Sequence, residues 1–196
     1  MGKLDEFIDS LDGPNQISLM DIPEIDLYMD QVIQLFENKF KDSKRFDDEK
    51  ILTKTMINNY AKSKLFFPIK NKKYSKEHLL LISLIYQFKG ALSINDIKET
   101  LHGINRMVTE ESQFQLESFY SSYLHLNNSN IDMFKQHIKE RADEVTKEVE
   151  NIKSDEKEYL QKVLLTATLA NMSNLYRRAA EKLVDEILEE GKKESK

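Results

Sequence analysis

Ten residues constrain this chain more than any others: Leu79 to Phe88, reading LLLISLIYQF. Leu79, Leu80, Leu81, Ile82, Leu84, Ile85, Tyr86 and Phe88 leave no polar side for water. A helix apolar nearly all round has to be surrounded by other elements. Ser75 stands where an N-cap belongs, and Gly90 ends the run. Ser93 caps the next helix with Asp96 at the capping-box position, and Leu92, Ile94, Ile97 and Leu101 supply its apolar stripe. The chain is therefore expected to build a helical core around residues 79–88.

The residues before this run are polar and basic. In TKTMINNYAKSKL, Thr53 is the expected N-cap of a short helix. Met56, Ile57 and Tyr60 fall on one face, which turns Lys54, Asn58, Asn59 and Lys62 outward. Pro68 stops any continuation, because it lacks a donor and biases Phe67 toward extended backbone. The loop from Ile69 to Tyr74 then carries three lysines, Lys70, Lys72 and Lys73. Upstream, Asp21-Ile22-Pro23 is expected to open an amphipathic helix running to about Lys41. Its stripe is Ile25, Tyr28, Met29, Val32, Ile33, Phe36 and Phe40.

Charge separates along the chain. The formal net charge is −5, yet residues 39–76 hold twelve basic side chains against four acidic ones. A basic head on an acidic body suits a phosphate-facing role for the head. An adenine edge could be read by an exposed amide such as Asn58 or Asn59. Lys54, Lys62 and Lys64 are placed to meet phosphates, and a loop tip lets Lys70, Lys72 and Lys73 reach one backbone. A lysine-rich solvated surface is the plain alternative, and for Tyr60 a place half in the core competes with a contact role.

The pieces MINNY, KLFFP, KKYS and LSINDIKETL keep the order found in the winged helix-turn-helix head of the MerR family of bacterial regulators, which residues 22–103 resemble. The chain also looks like a bacterial family described only as a domain of unknown function, through its KILTKTMINNY, KKYS and LSINDIK segments. The MerR resemblance implies double-stranded DNA as partner. It makes residues 53–63 the recognition helix and residues 69–74 the wing, with Thr53, Lys54, Asn58, Asn59, Tyr60, Lys62, Lys64, Lys70, Lys72 and Lys73 at the interface. It also implies a homodimer and an effector, ligand or protein, bound by the body. Three departures stand out. Asp42 to Lys50 is longer than the family's tight turn, Asn58 and Asn59 replace the usual Arg and Tyr, and Lys64 replaces the Gly that usually caps the helix.

Residues 1–20 read as a flexible N-terminal segment, with Leu4, Phe7, Ile8 and Leu11 before the breaker Gly13-Pro14. After Gly103 the character changes. Ile104 to Thr109 reads as a connector, and a stripe from Phe114 to Leu124 ends at Asn127-Asn128-Ser129-Asn130. Ile131, Phe134, Ile138, Ala142, Val145, Val149 and Ile152 then approach a coiled-coil seam. Asn151 to Asp155 breaks it, and a last helix runs from about Glu156 to Glu190. The expected architecture is all-α. A MerR-like helix-turn-helix domain over 21–103 precedes a helical dimerisation and sensing bundle over 104–196.

Little points to catalysis. With no Cys, disulfides and thiolate chemistry are excluded. His78, His102, His125 and His137 are scattered; the pair His137 and Glu140 is far weaker than a paired-histidine zinc motif. No phosphate-binding glycine loop or nucleophile elbow appears. Arg177-Arg178 reads as surface pairing before it reads as an anion site. No cofactor or metal is expected, no run has the length of a membrane span, no leader pattern is present, and the expected location is cytoplasmic. The rival to DNA recognition is a helical protein-interaction module using the same head. A small-molecule-binding bundle comes third.

Overall fold

The computed structural model describes residues 6–8, 16–111 and 113–194. Of the segment read as flexible, residues 1–5 and 9–15 lie outside the described residues. The chain divides into two compact units: Gly13–Leu124 with Glu181–Lys196, and Met1–Asp12 with His125–Ala180.

The first unit is organised by the apolar run. It forms helix α3, Lys76–Phe88, in which every residue from His78 to Ile85 is buried. Around it stand α1 (Met29–Phe40), α2 (Lys54–Lys62), α4 (Ile94–Glu110) and the start of α5 (Leu116–Glu150). Val32, Phe36 and Phe40 of α1, Ile57 and Tyr60 of α2, Ile97 and Leu101 of α4, and Leu116 and Tyr120 of α5 join α3 in one core. The Phe40 ring stacks on Tyr86 at 4.6 Å between centroids. Tyr120 is fully buried and its hydroxyl donates to the Ile17 carbonyl at 2.8 Å. That leaves the Ser83 hydroxyl, also 2.8 Å away, to donate to the Tyr120 oxygen. Burial pushes the Tyr120 pKa up to about 12.

Helix α1 starts at Met29 rather than beside Pro23. Asp21 instead closes a short 3₁₀ turn, Leu19–Asp21, by accepting the Ser18 N–H at 2.7 Å and pairing with Lys39 at 2.7 Å. Leu27–Tyr28 forms strand β1, antiparallel to β2 (Lys73–Tyr74), with Leu27 opposite Tyr74 and Tyr28 opposite Lys73. Pairing with a distant segment overrides the helical spacing of Ile25 and Tyr28. Ile17, placed by sequence in a loose terminus, is buried in the core. The expected connector from Ile104 to Thr109 is helical, so the boundary drawn after residue 103 falls inside α4. Ile104 and Val108 pack on the same core, and the Asn105 amide donates to the Leu101 and Leu65 carbonyls at 2.9 and 3.0 Å.

In the second unit, α5 continues through Asn127 to Asn130 without a break and ends at Glu150. From sequence alone this polar cluster ends the helix. Inside a long helix such residues only lower propensity, by less than about 1 kcal/mol each. Helix α6, Lys157–Glu194, follows the short connection, and its residues from Glu181 on belong to the first unit. Of the expected seam, Ile138, Val145 and Val149 are buried, while Phe134 and Ile152 are exposed. Among the described residues no helix is long and apolar enough to cross a membrane.

Candidate nucleic-acid interface

Helix α2 is fixed at both ends by local chemistry. Thr53 Oγ1 accepts the Met56 N–H at 3.2 Å, the cap its sequence predicted. At the other end Lys64 takes φ 57°, in the left-handed region. Its N–H donates to the Ala61 carbonyl and the Leu65 N–H to the Tyr60 carbonyl, each at 3.0 Å. These two bonds form a Schellman closure, which glycine usually makes because an L side chain crowds its own backbone there. Below, Ile57 and Tyr60 hold the helix to the core; above, Lys54, Asn58, Asn59 and Lys62 are exposed.

The basic loop is a tight hairpin. The Lys73 N–H donates to the Lys70 carbonyl at 2.9 Å, and Asn71 and Lys72 have φ 52° and 58°. Positive φ at both central residues is what a type I′ turn requires, and Asn-Gly is its preferred pair. Here lysine stands at the second position. Lys70 and Lys72 are exposed and Lys73 is half-buried, its ammonium 5.2 Å from the centre of the Tyr28 ring.

His78 clamps the base of this hairpin. Its Nδ1 accepts the Ser75 N–H at 3.1 Å, so its Nε2 carries the hydrogen and donates to the Phe67 carbonyl at 3.1 Å. Accepting at Nδ1 needs the neutral ring, and burial pushes the His78 pKa below the ordinary histidine value. The hairpin is thereby held at both ends by one side chain.

The long loop before α2 is pinned at Ile51. Glu37 Oε1 accepts the Ile51 N–H at 3.0 Å while its other oxygen takes Lys44 at 2.6 Å. The bond from Lys44, ahead of the backbone bond from Ile51, holds the Glu37 pKa below the usual carboxylate value. Lys89 Nζ donates to the Ile51 carbonyl at 3.1 Å from over the Tyr86 ring. Ile51 is thus held through both backbone groups, two residues before the N-cap.

The site residues named from sequence fare unevenly. Lys54, Asn58, Asn59, Lys62, Lys64, Lys70 and Lys72 are exposed on α2, its cap and the hairpin. Tyr60 is only 4% exposed and belongs to the core, not to the contact face that the resemblance implies for it. Thr53 is occupied as the cap. Sequence reading missed Tyr28 and Asp30, which β1 and the start of α1 bring beside the hairpin. A groove of about 320 Å³ is lined by Tyr28, Asp30, Lys54, Ile69, Lys72 and Tyr74. The two-residue strand β1 is too short to leave a period in the sequence.

These features define a small helical domain with an antiparallel hairpin and an exposed lysine- and asparagine-rich face. Residues 17–123 match the family model of the domain of unknown function DUF1836, and the chain belongs to that family. No curated protein and no solved structure matches it.

Proposed function

We propose that the protein is a DNA-binding transcriptional regulator of the MerR-like type, with residues 53–63 as recognition helix and residues 69–74 as wing. The observation that carries this reading is the conformation of Lys64 and Lys72. Both hold left-handed backbone, at φ 57° and 58°, where glycine would sit without steric cost. Lysines kept at two such positions, one closing α2 and one at the hairpin tip, point to work for their ammonium groups. The pairing of β1 with β2 supports a wing held against the head. Asn58 and Asn59 would face base edges, and Lys54, Lys62, Lys64, Lys70, Lys72 and Lys73 would meet phosphates.

The second unit would supply the homodimer. Leu126, Met133 and Phe134 on α5 and Tyr159, Val163, Leu175 and Tyr176 on α6 are exposed apolar side chains on a two-helix scaffold. Two heads on one duplex would offset the modest basic area of each.

The test is a fluorescence-anisotropy titration against tiled duplexes from upstream of the protein's own gene and one unrelated duplex. The reading expects tight, salt-sensitive binding to one tile. Absence of binding at low salt by a folded dimer contradicts it. A second reading, a protein-interaction module, draws on Phe46, which is 56% exposed with Arg45 over its ring in the long loop before α2.

A further inference from the structure

The lysines of this face are not equivalent. Lys62, Lys64, Lys70 and Lys72 carry no ion pair among the described residues, and Lys73 lies over an aromatic ring. Lys54 alone is paired, its Nζ 2.8 Å from Asp30 Oδ1. Asp30 is also the single carboxylate lining the groove between the start of α1, the start of α2 and the hairpin, where Lys54 and Lys72 are the two cations. The pair is open to water, with 64% and 73% of the side chains exposed, so it adds little to the fold. Asp30 also stands in the first turn of α1, where an acid is modestly favourable for the helix. Neither role requires it to face Lys54.

We propose that Asp30 is a built-in competitor for DNA phosphate at Lys54, one that holds down sequence-independent binding. The inference rests on the DNA-binding reading above. A phosphodiester entering the groove meets Lys72 unpaired but must displace Asp30 from Lys54, and it is repelled by the carboxylate until it does. Contact with any backbone is therefore weakened at this point. A correct site, where the base edges facing Asn58 and Asn59 add their own contacts, overcomes the competition. The carboxylate trades affinity for discrimination, which depends on the difference between right and wrong sites rather than on total affinity.

The experiment titrates an unrelated duplex with the full chain and with Asp30→Asn, Lys54→Gln and the double variant, at roughly 50 and 200 mM salt. Both side chains are exposed, and melting curves confirm that each variant is folded. Asp30→Asn should bind roughly three- to ten-fold tighter at the lower salt, the scale of one exposed charge pair. Its log affinity against log salt should steepen by about 0.9, one added phosphate contact. In the Lys54→Gln background only a smaller gain, from relief of the carboxylate's repulsion, should remain. The same gain without Lys54 would show only a general effect of net charge and overturn the proposal. So would no gain, or a loss, in a protein that otherwise binds DNA. Failure of every variant to bind at low salt would overturn the DNA-binding reading, and this proposal with it.

Discussion

Glu37 Oε1 accepts the backbone N–H of Ile51 at 3.0 Å, fourteen residues along the chain. Through this bond α1 sets where α2 begins, despite the long charged loop between them. The same carboxylate holds Lys44 at 2.6 Å. Glu37→Ala should therefore cost about 1–3 kcal/mol in urea denaturation, since it leaves a backbone donor and an ammonium without their acceptor. An unchanged midpoint would mean that the loop is held by other contacts.

Lys64→Gly and Lys72→Gly should each stabilise the protein by about 1 kcal/mol, because glycine takes left-handed backbone without the Cβ penalty. If the lysines are kept for contact with DNA, the same two variants should bind duplex more weakly. Opposite movement of stability and affinity is the expected signature. A gain in both would remove the reason offered for lysine at these positions.

His78 makes stability depend on pH. Its folded-state pKa lies below the ordinary histidine value of 6.5, burial being the main cause. As pH falls below that value the unfolded chain takes up a proton that the folded ring refuses, so stability drops until the folded pKa is reached. The slope is at most about 1.4 kcal/mol per pH unit. Denaturant titrations between pH 7.5 and 5 should show this loss, and His78→Gln should flatten it. Identical slopes in both proteins would place the titration elsewhere.

Gly103→Ala should stabilise the protein by roughly 0.5–1 kcal/mol. Gly103 lies inside α4, and a Cβ there would meet nothing within 4 Å beyond its chain neighbours and the backbone of its own helix. A loss of stability would argue that the helix does not run through this point.

Gly103 also shows how far the sequence could be read. A glycine before Ile104 looked like an end, yet α4 continues because Ile104 and Val108 reach the core. The apolar run from Leu79, the Thr53 and Ser93 caps and the outward face of Asn58 and Asn59 were legible, since each depends on local spacing or a local hydrogen bond. The late start of α1 and the burial of Ile17 were not. They depend on Tyr74 and Tyr120, distant in sequence and joined only by folding. Within the candidate site the lysines were visible as composition, while Asp30 entered only when β1 brought the start of α1 to the hairpin. Tyr60 was legible as a helix-face residue, but its side of the helix faces the core.

The most direct test compares the protein with the variant Lys70→Glu, Lys72→Glu, Lys73→Glu on the duplex tile that it binds best, at two salt concentrations. The hairpin reading predicts that affinity collapses and that the salt slope falls by up to about 2.7 per head, at 0.9 for each lost phosphate contact. Folding and oligomeric state should persist. Undiminished binding by the folded variant would contradict the assignment of the hairpin as a DNA contact.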